Sequence, residues 1–179
     1  MLTSHTSANG SLRTVSRRIE HSSTYSFPVE QVHAGLTTEQ YWRDRIAEVG
    51  GPGATLDEVT TGPGTISVSM SQSIPAEHLP SIVAKVRSGD LVIARTETWN
   101  ALDGGRASGT FTARVTGAPA EISGSQTLTS EGSGTKVQVT GKAEVKIPLI
   151  GGKIEGAIGD EVLRLIDKEQ EFTQRWLGA

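Results

Sequence analysis

The chain contains no cysteine. Disulfides, zinc–thiolate sites, iron–sulfur clusters and cysteine nucleophiles are therefore excluded. A chain without thiols also fits a reducing compartment, so a cytoplasmic location is expected. Aromatic residues are scarce at 4%, and the hydrophobic fraction is only 35%. No run approaches the roughly 20 apolar residues that cross a bilayer, so no integral membrane association is expected. Basic charge is not in surplus either. The net charge of −3 counts against a nucleic-acid partner. The first residues, MLTSHTSANGSLRTV, lack the apolar core of a secretory signal. Catalytic signatures are missing as well. There is no G-x-S-x-G, and Gly152-Lys153 has neither the Ser/Thr nor the preceding glycine of a phosphate loop. His5, His21, His33 and His78 have no partners at ligand spacing, so no metal and no cofactor are expected.

What the chain has in plenty is glycine, 21 residues in 179, which implies many turns. The length suits one domain, read here as 15–179 behind a disordered tail at 1–14. Arg17 to Phe27 alternates as a half-buried strand. Pro28 to Gly35 reads as a short helix opened by proline. Thr37 with Gln40 predicts a capping box and a second helix from Thr38, stopped at Gly50-Gly51. Strands follow over Ala54–Thr60 and Ile66–Ile74, then a stretch from Pro75 to Gly89 that breaks the alternation. Further strands are expected over Leu91–Trp99, Gly105–Val115, Ala120–Thr129 and Val137–Ile147. Asp103-Gly104 marks a hairpin. After Gly151-Gly152 a long helix is predicted over Lys153–Leu177, with Ile154, Ile158, Val162, Leu165, Phe172 and Trp176 on one stripe.

Strand, two short helices, about six antiparallel strands and one long terminal helix give an α+β fold. The segments RRIEHSSTYSFPVEQVHAGLTTEQYWRDRI, LVIARTETW and KVQVTGKAEVKIPLIGGKIEGAIGDEVLRLIDKEQEFTQRWL carry a resemblance to START-like proteins of the helix-grip fold. These include polyketide cyclases and lipid-transfer domains, and the resemblance is closer to an uncharacterised actinobacterial branch of unknown function. It implies a curved seven-stranded antiparallel sheet around the C-terminal helix, with a hydrophobic cavity between them. It implies no particular substrate.

Residues on inward faces are the candidate lining of that cavity. His21 shares a face with Tyr25, Gln72 with Met70, Arg95 and Glu97 with Trp99, and Gln126 with Leu128. Gly141 and Ala143 are the small residues at the centre of the last strand's inward set, where they would leave space above the sheet. The helix adds Leu165, Glu169 and Phe172. Buried polar groups need partners, whether protein, water or ligand. The leading expectation is binding or transport of a small hydrophobic molecule, such as a lipid, isoprenoid or polyketide-like ligand. The alternatives are a cyclase or dehydratase using Arg95 with Glu97 or His21 with Tyr25, and a protein-interaction module. No residue is assigned a catalytic role.

Glu169 is the sharpest local signal. It fills the slot between Leu165 and Phe172 in an otherwise apolar stripe. Either it meets a cation inside, Arg95 being the best candidate, or it reaches water at the cavity mouth. If the carboxylate is held there at a cost in stability, Glu169→Leu should stabilise the protein. Gly141→Leu should fill the cavity and leave the fold intact.

Overall fold

The computed structural model describes residues 16–85 and 88–179. The expected tail at 1–14 lies outside them, as do Arg13, part of a basic cluster with Arg17 and Arg18, and Val86. The elements are β1 (Ser16–Tyr25), α1 (Val29–Leu36), α2 (Glu39–Val49), β2 (Thr55–Gly62) and β3 (Thr65–Ile74). A 3₁₀ turn (Ala76–His78) and α3 (Ser81–Ala84) follow, then β4 (Leu91–Trp99), β5 (Arg106–Val115), β6 (Ala120–Glu131), β7 (Gly134–Val145) and α4 (Gly151–Leu177).

The strands form one antiparallel sheet in the order β1-β7-β6-β5-β4-β3-β2. The first strand therefore pairs with the last, and α1 and α2 carry the chain from one edge of the sheet to the other. α4 packs over the inward face. Alternation decides that face: Ile66, Val68 and Met70 of β3 are buried, while Ser67, Ser69 and Ser71 between them are not.

Two apolar clusters hold α4 at opposite ends. Toward its C-terminus, Tyr41, Trp42, Val32 and Leu36 pack with Trp99, Leu128 and Phe172. The ring of Tyr41 meets those of Trp42, Phe172 and Trp176 at 5.2–5.8 Å between centroids. The indole Nε1 of Trp42 donates to the Leu36 carbonyl at 2.9 Å, which fixes the turn between α1 and α2. Toward the N-terminus of α4, Ile154 packs with Val83, Leu91 and Val145.

Three local expectations need correction. The capping box does not form. The Thr37 and Thr38 hydroxyls turn back and donate to carbonyls at the end of α1, His33 at 2.8 Å and Gly35 at 2.7 Å, and Gln40 donates to Asp44. Orphan carbonyls at the close of one helix thus win over orphan amides at the start of the next. β7 stops at Val145 rather than Ile147, because Glu155 reaches back and accepts the Val145 amide at 2.8 Å. α4 begins at Gly151 rather than Lys153, inside the glycine pair. A Cβ on Gly151 would lie 2.7 Å from the Val145 carbonyl oxygen, so only glycine lets the helix start this close to the strand it has just left.

Candidate ligand-binding site

The register lines up the inward residues in rows across the strands. Arg95 of β4 sits opposite Ala113, followed by Ile122 and Ala143. Glu97 sits opposite Phe111, followed by Gly124 and Gly141. Trp99 sits opposite Gly109, followed by Gln126 and Val139. Between these rows and the middle of α4 lies a cavity of about 130 Å³. Its floor is Ile93, Phe111, Ala113, Ile122, Val137 and Val139, and its roof is Val162, Leu165 and Ile166. The side where α2 approaches is polar.

That polar wall is a closed ring of charge. Arg45 of α2 donates to Glu97 at 2.6 Å and lies 2.8 Å from Glu169 of α4. Arg95 lies 2.6 Å from Glu97 and 2.7 Å from Glu169. Each guanidinium meets both carboxylates, and the four side chains are only 5–12% exposed. Gln72 extends the ring, accepting from Arg95 at 2.9 Å and donating to the Gly50 carbonyl at 3.2 Å. Arg45 also stacks 4.6 Å from the centre of the Trp42 ring, a cation–π contact.

Burial by itself would raise the Glu169 carboxyl, but the charges of Arg45 and Arg95 outweigh it and hold the group at about 2. Burial likewise opposes the charge on each arginine, and the two carboxylates override it. Two phenols complete the environment. Burial keeps Tyr25 and Tyr41 protonated above the usual tyrosine range. The Tyr41 hydroxyl and Thr173 Oγ1 are 2.7 Å apart, and Thr173 donates to the Glu169 carbonyl.

Of the residues expected to line the cavity, Tyr25, Gln72, Arg95, Glu97, Trp99, Gln126, Leu165 and Glu169 are at its wall. Glu169 meets Arg95, the partner expected for it. Five others lie elsewhere. Met70 and Phe172, 2% and 3% exposed, are consumed by the core beneath α2. Ala143 is fully buried in the packed sheet. Gly141 leaves no open space. A Cβ there would lie 2.9 Å from Phe111 Cζ and 2.6 Å from the Ser123 carbonyl oxygen, and one on its partner Gly124 would be 2.6 Å from the same ring. The glycine pair seats the phenyl ring at a close backbone approach.

His21 is the fifth. Its Nε2 lies 2.6 Å from Asp167 Oδ1, in a polar seam along which β1 holds α4. Ser23 with Gln170, the Ser26 amide with Gln174, and Arg17 with Asp160 continue that seam. Arg45 and Phe111 are among the wall residues that no expectation named. Arg45 follows Trp42 by three positions and so shares its helix face, which is a readable signal. Phe111 is inward by simple alternation from Ala113.

Among the described residues, two buried side-chain polar atoms have no hydrogen-bond partner, His21 Nδ1 and Gln126 Nε2. Only Gln126 lies at the cavity. No group of three or more His, Asp or Glu among the described residues is placed to hold a metal ion, and no described helix is long and apolar enough to cross a membrane.

Comparison with known proteins agrees with this architecture. A sequence model of the family described as "Protein of unknown function (DUF2505)" matches residues 20–177. The uncharacterized protein Rv0481c of Mycobacterium tuberculosis is 35% identical over 170 residues, covering 90% of this chain and 97% of that protein. Among solved structures, an uncharacterized protein from Rhizobium leguminosarum superposes with a TM-score of 0.61 at 11% identity, covering 92% of this chain and 96% of its own. The Zhui aromatase/cyclase from Streptomyces sp. R1128 superposes with a TM-score of 0.51 at 13% identity, covering 91% and 92%. At such identities the likeness concerns the fold alone, and that fold is the helix grip.

Proposed function

The chain belongs to the DUF2505 family of unknown function, and from that premise we propose that it binds a small hydrophobic molecule in the cavity between the sheet and α4. The observation that carries this reading is the apolar cavity of about 130 Å³, floored by Phe111, Ala113 and Ile122 and roofed by Val162, Leu165 and Ile166. A well-packed core leaves few voids larger than a water molecule. A dry cavity of roughly 150 Å³ takes up benzene. The space therefore suits a molecule of about one ring. A lipid, isoprenoid or fused-ring polyketide is larger than this space.

A cyclase or dehydratase is the second reading, favoured by the ionisable groups at one wall. General acid–base chemistry near neutral pH calls for a group that titrates there. Glu169, ionised down to about pH 2, does not. Its carboxylate is committed to two arginines, which supports binding over catalysis.

The test is a titration of isotope-labelled protein with toluene and ethylbenzene, followed by NMR. Saturable shifts should concentrate at Phe111, Ala113, Ile122, Val162 and Leu165, and Ala113→Leu should abolish them. Shifts that never saturate, or that survive Ala113→Leu unchanged, would overturn the reading.

A further inference from the structure

Among the described residues at the cavity, one buried side-chain polar atom has no hydrogen-bond partner, and it points to a ligand. Arg45, Arg95, Glu97 and Glu169 neutralise one another, each guanidinium facing both carboxylates. No charge is left over for an incoming ion. A carboxylate entering beside this ring would bring an unmatched negative charge into a desolvated space already holding two, and a buried unmatched charge is strongly disfavoured. Arginines in a hydrophobic cavity would ordinarily point to a fatty acid or another anion, but here both are already consumed.

Gln126 is different. It lies on β6 in the row Trp99–Gly109–Gln126–Val139, two strands away from the charged ring on β4. The residue lies at the cavity, and its Nε2 is buried and donates to nothing. A buried donor without an acceptor is costly, and native structures rarely keep one without an occupant. An acceptor delivered by a ligand would cancel that cost on binding.

We propose that the cavity is built for an uncharged, single-ring molecule whose hydrogen-bond-accepting oxygen, a carbonyl or ether, is received by Gln126 Nε2 while its ring lies over Phe111 and Ala113. This deepens the proposed function and rests on it.

The experiment compares three probes of similar size: ethylbenzene, acetophenone and benzoate. Affinities are measured by NMR titration on the wild-type protein, Gln126→Met and Gln126→Leu. The two variants remove the donor with different shapes, so a failure of either to fold leaves the other. Acetophenone should bind the wild type about tenfold more tightly than ethylbenzene, the difference expected from one satisfied buried hydrogen bond. Benzoate should not saturate. In the variants the preference for acetophenone should fall to within about twofold, with ethylbenzene bound at least as well as before.

Equal affinities for ketone and hydrocarbon in the wild type would mean that Gln126 is served by an ordered water, and would overturn the assignment. Saturable binding of benzoate would overturn it too, as would a ketone preference that survives both variants. In each of these cases saturable ethylbenzene binding leaves the cavity reading standing. If no probe saturates, ethylbenzene included, the cavity reading itself falls and this assignment falls with it.

Discussion

Replacing Glu169 by leucine should destabilise the protein, the reverse of what its place in an apolar stripe suggested. The stripe placed a carboxylate among apolar neighbours, with Arg95 inside or water at the cavity mouth to receive it. The structure shows one carboxylate shared by two buried arginines, Arg95 at 2.7 Å and Arg45 at 2.8 Å. Removing it leaves both arginines on Glu97 alone, with one net positive charge enclosed among side chains only 5–12% exposed. Breaking a buried pair by deleting one partner costs about 3–5 kcal/mol.

Linkage gives a similar figure from a separate route. The carboxyl lies at about 2 against an ordinary 4.5, and at roughly 1.4 kcal/mol per unit this amounts to about 3 kcal/mol of stability held by the ionised form. The sign follows from the depressed value. The contribution is complete above the unfolded pKa near 4.5 and is lost as pH falls toward 2. Urea unfolding at pH 7 should therefore show Glu169→Leu less stable by about 3 kcal/mol or more, and Glu169→Gln by a similar amount. The gap between wild type and leucine variant should close between pH 4.5 and pH 2. Adding Arg95→Leu to Glu169→Leu restores charge balance, since Arg45 and Glu97 remain as a pair. The double variant should be more stable than the summed losses predict by about 1–3 kcal/mol. A leucine variant as stable as wild type at pH 7, or strictly additive losses, would refute the reasoning.

Gly141→Ala should cost about 1–3 kcal/mol in urea midpoint measurements, because the new methyl meets backbone at Ser123 and the Phe111 ring; Gly141→Leu should not leave the fold intact, and a cooperative melt near the wild-type temperature would contradict the seat described for Phe111. Leu149→Gly should raise stability. Leu149 holds a left-handed backbone at φ 70 with its side chain fully exposed, so relief of about 1–2 kcal/mol of strain outweighs the roughly 0.5–1 kcal/mol of added chain entropy. A rise of about 2–4 °C in Tm is expected, and Leu149→Ala, which keeps the strain, should show none. Replacing the whole charged ring with apolar residues (Arg45→Met, Glu97→Leu, Arg95→Leu and Glu169→Leu together) should give a protein at least as stable as wild type. If it is no more stable than Glu169→Leu alone, the cost assigned to a stranded charge is wrong.

The legible parts of the sequence were those whose signal is periodic and local. Ile66 to Ile74 alternates without a break and is a strand with the expected face buried. Spacings of three and four marked α4 within two residues of its observed start. Terminal detail was not legible, because it depends on which orphan group a side chain reaches. Thr37 carries the sequence signature of a cap and spends its hydroxyl on the preceding helix instead. Small residues were misread for a related reason. A glycine on an inward face is consistent both with empty space and with a close neighbour, and only the register that puts Phe111 beside Gly124 and Gly141 decides between them.

The charged ring shows how far a pattern can reach. Glu169 was conspicuous because its surroundings on α4 are apolar, and Arg95 was the natural partner because it faces inward on a strand. Arg45 went unread. Long basic side chains are common on helices, where they lie along apolar surface and keep the charge in water. What turns Arg45 inward is Glu97, a residue 52 positions away that already faces Arg95. Two inward carboxylates with one inward arginine leave one negative charge unmatched, and burial forbids that imbalance. A second buried cation was therefore implied by the charge count on the inward faces alone. The buried face of α2, closing over the same end of the sheet, was the place to look for it.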